Sequence, residues 1–319
     1  MSGMRPTGKL HLGHWEGALK NWVPLQDKYP CYYSIVDWHA LTTDYQKPGE
    51  IRANVRNVLM DWLSVGIVPE KSTVFVQSRV KEIAELYLLL SMITPLGWLE
   101  RVPTFKEQQI QLKDREINTI GFLGYPLLQA IDIISMRANL VPVGEDQVSH
   151  LELGREIVRR FNFLYGDYFT EPKELLTLTA KLPGLDGRKM SKSYGNAIFL
   201  SDSSETVDKK IRPMITDTRR KLRTDPGVPK DCPVFYLHES FSREEEKEEI
   251  VTGCTSAGIG CIDCKKILIK NINNFLDPFR ERRKKYENAA VDDILAEGTK
   301  KARETAKQTV NEVRELMKL

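Results

Sequence analysis

The chain has 319 residues, 41% of them hydrophobic, enough to bury a core in one large or two medium domains. With 47 Lys and Arg against 44 Asp and Glu the net charge is only +3, so any polyanion site must come from local clustering. No apolar stretch approaches the roughly 18 to 20 residues of a membrane span, and the first residues lack the charged-then-apolar order of a signal peptide. No membrane role is expected, and the cytoplasm is the expected location. Five cysteines in such a chain argue against a disulfide framework, because a reducing cytosol keeps thiols free.

The first 150 residues alternate helical and extended patterns, as for strands and helices wound into a parallel sheet. Helical periodicity covers about Trp15 to Asp27, Ile51 to Val65, Ile83 to Ile93 and Phe122 to Met136. Between these stretches, Tyr32 to Val36, Thr73 to Gln77 and Leu140 to Val143 read as strands. This pattern predicts a Rossmann-like α/β domain over residues 1–195. Pro183 to Gly195 has the composition of a loop, and from Asp208 onward only helices are expected. The last helix, near Thr299 to Met317, carries Lys and Glu on one face and Ala, Val and Leu on the other. Residues 196–319 therefore read as a second, all-helical domain.

Two segments carry phosphate chemistry. His11-Leu12-Gly13-His14 follows the turn-rich Met4-Arg5-Pro6-Thr7-Gly8 and opens a helical pattern, which places two imidazoles at a helix start. Unpaired backbone N–H groups and the positive dipole end suit ATP phosphates there, and Gly13 lets a ligand approach the backbone. Lys189-Met190-Ser191-Lys192-Ser193 offers two lysines and two hydroxyls in a loop, a set able to clamp a leaving pyrophosphate. Walker A and GxGxxG sequences are both missing, which disfavours the P-loop and dinucleotide alternatives.

In this order and at this spacing the pair resembles the class I aminoacyl-tRNA synthetases, whose signatures are written HIGH and KMSKS. The resemblance implies that ATP, with Mg2+, activates an amino acid that is then loaded onto tRNA. It makes His11, His14, Lys189 and Lys192 the catalytic candidates. Arg5, Pro6, Thr7, Gly13, Leu182, Met190, Ser191 and Ser193 match family positions that contact ATP. Chemistry of this kind needs positioning and charge stabilisation more than a covalent nucleophile.

Tyr125, Gln129 and Asp132 fall on one helix face at i, i+4 and i+7. Asp132 interrupts an apolar stretch, so it is either a paired structural charge or a ligand-reading group. In a pocket its carboxylate could accept an indole N–H or a phenol O–H, and left unmet it would reject phenylalanine. Val141-Pro142-Val143-Gly144-Glu145-Asp146-Gln147 leads from a strand into a helix, the usual ligand position in such folds. With Tyr125-Pro126 and Asp132 this run resembles the tryptophanyl-tRNA synthetases over nearly the whole chain. That resemblance implies Asp132 on the indole nitrogen, Gly144, Glu145 and Asp146 with Gln147 along the amino acid and ATP sites, and Val36, Val141 and Val143 as a flat apolar pocket. It also implies a homodimer acting on L-tryptophan and tRNA(Trp), with no role for DNA. Gln129, where many tryptophanyl enzymes carry Met, keeps the tyrosyl sister family as the alternative. A synthetase-like binding protein without aminoacylation is the other. His39, beside Trp38 at the end of a strand, could face the site, but a packing role is expected for it, as for His150 and His238.

Cys232, Cys254, Cys261 and Cys264 follow C-x21-C-x6-C-x2-C. Four thiolates invite a metal, and two tight pairs would be more usual for zinc. The spacing resembles that of a subset of tryptophanyl-tRNA synthetases with a [4Fe-4S] cluster, which is favoured over Zn2+. Arg219, Arg220, Lys221, Arg223 and the run Arg280 to Lys285 could face RNA, although charge runs are more often solvated helix faces. Finally, Met1 is followed at once by Ser2-Gly3, so the central first strand of the sheet is expected to be missing and an earlier start to the chain is expected.

Overall fold

The computed structural model describes residues 1–102, 117–144, 148–176, 182–287 and 291–319. The first strand is present after all. Ser2–Met4 forms β1 and pairs parallel with β2 (Cys31–Ile35), in the register Ser2 to Tyr33, Gly3 to Ser34 and Met4 to Ile35. Three residues suffice because the ladder continues on the other side, where β3 (Ser72–Val76) completes a three-stranded sheet in the order β1-β2-β3. Gly3 belongs to that contact, since a Cβ there would stand 2.9 Å from Val36 Cγ1. A second parallel pair joins β4 (Leu140–Val143) to β5 (Lys173–Leu176). The Met1 amino group bridges the two sheets by donating to the Leu140 carbonyl at 3.0 Å. β5 has no alternation to betray it, because three of its four side chains are exposed.

The HLGH segment forms α1 (Leu12–His14), passes through a π-helical turn (Trp15–Leu19), and continues as α2 (Lys20–Leu25). After β2 come α3 (Asp37–Asp44) and α4 (Ile51–Val65). Val55, Val58, Leu59, Trp62 and Leu63 form the buried stripe of α4, which ends where Gly66 takes the left-handed conformation at φ 110°. Trp22 stacks on Tyr33 at 4.8 Å, and the edge of Trp62 closes the cluster. β3 leads through α5 (Lys81–Ser91) and α6 (Leu96–Glu100), and the chain returns as α7 (Ile120–Leu123) and α8 (Tyr125–Ser135). α9 spans Val148–Tyr165.

Among the described residues beyond 200 there are helices only: α10 (Ser204–Ile211), α11 (Pro233–Phe241), α12 (Glu244–Thr255), α13 (Cys261–Glu287) and α14 (Val291–Met317). Leu268, Ile272, Leu276 and Phe279 give α13 a helical stripe, and it packs on α4. α14 returns to the sheet and lies on β3 and α5. Gly298 permits this approach, because a Cβ there would overlap the Val74 carbonyl oxygen. No described helix is long and apolar enough to cross a membrane.

Candidate active site

A cavity of about 370 Å³ opens where β1 and β4 present their carboxyl ends, the usual ligand position in an open α/β sheet. Arg5, Val36, Tyr125, Gln129, Asp132, Val141, Val143 and Gly144 line it together, so helix spacing and strand ends converge on one space. Gly17 and Ala18, in the π turn after HLGH, form part of its wall. Glu145, Asp146 and Gln147 lie outside the described residues.

Asp132 is 4% exposed, and its charge is met on one side. Gln77 Nε2 donates to both carboxylate oxygens at 2.8 Å, and His39 Nε2 lies 3.1 Å from Oδ2. Gln77 is itself oriented by the Trp38 amide, which donates to its Oε1 at 3.1 Å. Each carboxylate oxygen can accept more than one bond, so lone pairs remain for a ligand donor. His39 and His150, expected to serve packing, both line the cavity. His150 sits 2.7 Å from Gln129 Oε1 through Nδ1 and 3.3 Å from the Tyr125 hydroxyl through Nε2. Gln77 is fully buried and was not singled out by sequence. Its place immediately after β3, at a strand's carboxyl end, is the signal that could have found it.

HLGH closes on itself. His11 is the N-cap of α1, and its Nδ1 accepts from the Gly13 amide at 3.1 Å, while His14 Nδ1 accepts from the His11 amide at 3.1 Å. This reciprocal capping fixes both tautomers: with Nδ1 an acceptor, each neutral ring carries its proton on Nε2. Burial and then the neighbouring Lys189 charge lower the His11 pKa to about 4. Burial, His11 and Lys189 hold His14 at about 3. Two neutral N–H donors 3.8 Å apart between ring centroids therefore stand beside a lysine.

The second signature is stitched to the first. Leu12 N donates to Ile198 O at 3.0 Å and Leu200 N to Leu10 O at 2.9 Å. Met190 is buried, and its amide donates to the Leu182 carbonyl at 2.9 Å. Asn196 shapes the loop by accepting from Ser191 N at 2.8 Å and donating to Asp186 at 2.7 Å. Lys192 reaches across to donate to the Thr7 carbonyl at 2.8 Å, and a Cβ at Gly8 would overlap that side chain. Thr7 and Ser193 are exposed beside it and Pro6 is buried. Lys189 thus stands close enough to act on both imidazoles, and Lys192 lies against the turn that precedes HLGH.

The basic segments are largely committed internally. Arg220 donates to the Arg223 carbonyl at 3.0 Å and the Ile259 carbonyl at 2.7 Å, and Arg223 donates to the Ala257 carbonyl at 3.1 Å. Arg219 pairs with Asp217 and Asp231. In the run from 280 to 285, Arg280 donates to the Asp202 carbonyl, Arg282 to that of Ser64, and Arg283 pairs with Asp61.

The cysteines gather where 232, 254 and the start of α13 meet. Burial, reinforced by Cys232, Cys254 and Cys261, pushes the Cys264 thiol up to about 12. His238 Nε2 stands 3.3 Å from Cys264 Sγ, and Arg220 lies 3.8 Å from Cys254 Sγ. In this conformation no three His, Cys, Asp or Glu side chains among the described residues converge closely enough to hold a metal.

The family model of class I tRNA synthetases (W and Y) matches residues 1–277. The tryptophan–tRNA ligase of Thermotoga maritima is 53% identical over 100% of this chain and 98% of its own length. That of Aquifex aeolicus is 44% identical over 100% and 99%. The fold matches the tryptophanyl-tRNA synthetase of Campylobacter jejuni, solved with ADP and tryptophan, at a TM-score of 0.89, 33% identity and coverage of 99% of this chain and 98% of that one. The signatures, the sheet, the cavity and these likenesses agree: the chain belongs to the class I aminoacyl-tRNA synthetases, in the tryptophanyl-tRNA synthetase family.

Proposed function

We propose that this protein activates L-tryptophan with ATP to tryptophanyl adenylate and pyrophosphate, then transfers the tryptophan to the 3′ end of tRNA(Trp). The observation that carries this reading is Asp132, a buried carboxylate held from one side by Gln77 and His39 in a cavity walled by Val36, Val141 and Val143. Such a site offers apolar walls and a fixed, buried acceptor, which the single N–H of an indole would meet. The tryptophan carboxylate would attack the α-phosphate, forming the acyl–phosphate bond as the bond to pyrophosphate breaks. His11 and His14 would donate Nε2–H to phosphoryl oxygens while Lys189 and Lys192 take up charge on the leaving group. Mg2+ arrives with the nucleotide, neutralising phosphate charge without a dedicated protein cage.

In this reading residues 1–195 supply the catalytic domain and 196–319 the helical tRNA-anticodon domain, and the protein acts in the cytoplasm. The exposed apolar side chains Leu88, Met92 and Leu96 support a homodimer. Cys232, Cys254, Cys261 and Cys264 would hold a [4Fe-4S] cluster, with Zn2+ as the alternative. Burial, and then the neighbouring cysteines, disfavour the thiolates of Cys254 and Cys264, and a soft cationic core would supply the charge that stabilises them. ATP–pyrophosphate exchange with tryptophan and tyrosine compared, on anaerobically purified protein, tests the substrate. Exchange with tyrosine alone would sink the assignment. Iron and zinc analysis of the same sample decides the metal.

A further inference from the structure

Asp61 is a carboxylate of α4 with no exposed surface, away from the cavity. It accepts from the Leu10 amide at 3.1 Å, one residue before HLGH, and pairs with Arg283 of α13. Arg283 reaches Asn57 as well, at 3.3 Å. Burial lifts the Asp61 carboxyl to about 6 against the pull of Arg283 and Lys9 and of the Leu10 amide, so its charged form depends on these partners. A second contact joins the same elements. Trp15, directly after His14, packs on Phe275 and Phe279 of α13 with ring centroids 5.4 and 5.2 Å away. α13 thus grips the HLGH turn from both sides, through a buried ion pair before it and an aromatic cluster behind it.

We propose that Asp61 and Arg283 are positioning residues for the nucleotide, fixing the Leu10 amide and hence the aim of both imidazoles, so that α13 sets the ATP signature from the helical half of the molecule. This rests on the reading of HLGH as the ATP-phosphate site. A bare packing role for the ion pair would affect both substrates alike. A positioning role falls chiefly on ATP, because Asp132 and its partners Gln77 and His39 are held by other elements.

The test is ATP–pyrophosphate exchange with separate KM values for ATP and tryptophan, alongside thermal unfolding. Asp61→Asn and Arg283→Met are expected to raise KM for ATP at least fivefold and leave KM for tryptophan within twofold, with Arg283→Lys recovering most of the loss. Both KM values moving together with Tm, or neither moving, overturns the proposal. Should Arg283→Met fail to fold, Asp61→Asn decides by the same split. His14→Ala is the independent control: retained exchange there removes the HLGH reading itself, whereas lost exchange beside an unchanged Asp61→Asn removes only this inference.

Discussion

Asp132→Asn probes the substrate reading most directly, because it keeps the shape of the side chain and changes only its donors and charge. In the wild type both oxygens accept from Gln77 at 2.8 Å, and His39 adds a third contact at 3.1 Å. The amide can satisfy Gln77 through its oxygen. Its NH2 group, however, must face His39 or the ligand, which swaps an acceptor for a donor on the surface that meets the indole. A hydrogen bond to a charged group is worth about 1.5–3 kcal/mol, and each 1.36 kcal/mol is tenfold, so kcat/KM for tryptophan should fall by roughly ten- to a hundredfold. KM for ATP should stay within twofold, because HLGH and KMSKS, which would hold the phosphates, lie on other elements. Steady-state exchange at saturating ATP measures the loss, and thermal unfolding separates it from destabilisation. A variant as folded as the wild type with tryptophan kcat/KM unchanged would refute the role given to Asp132.

Lys192→Ala should collapse adenylate formation by roughly a hundredfold or more while tryptophan binding, read by fluorescence titration, stays within twofold; unchanged exchange refutes the clamp. His11 carries a pH prediction: its folded pKa of about 4 lies below the ordinary 6.5, so its contribution is fully present above pH 6.5 and is lost as pH falls toward 4. That shift corresponds to roughly 3 kcal/mol at most. Urea midpoints between pH 7.5 and 5 should therefore fall less steeply in His11→Asn than in the wild type, and parallel slopes would contradict it. Gly298→Ala pushes a methyl into the Val74 backbone, and overpacking of about 2 kcal/mol lowers Tm by roughly 3 °C in a chain of this size. An unchanged Tm would show that α14 can lift off β3 without cost.

How much of this was legible in the sequence depends on the range of the interaction that fixes each part. Helix spacing alone put Tyr125, Gln129 and Asp132 on one face, and strand patterning placed Val141 and Val143 at a strand end; the cavity uses all five. The signatures were readable because their chemistry is local: HLGH caps its own helix, and KMSKS is shaped by Asn196 a few residues on. β1 was not readable, because a three-residue strand has no period of its own and exists only through β2. Gln77 and His150 escaped for a related reason, each acquiring its role from a partner elsewhere in the chain.

The basic run near 280 shows the same limit from the opposite direction. Charge density there suggested a surface for RNA, yet the half-buried guanidinium of Arg283 is turned inward onto a fully buried carboxylate 222 residues earlier. A buried pair of this kind is weak evidence for stability, since an apolar pair of equal volume often does as well. Its retention beside the Leu10 amide is better understood through what it orients. The imidazoles of HLGH are neutral donors whose use depends on direction, and a rigid acceptor beneath the preceding residue fixes that direction. On this argument the ATP signature extends beyond its four letters, to one carboxylate on α4 and one arginine on α13.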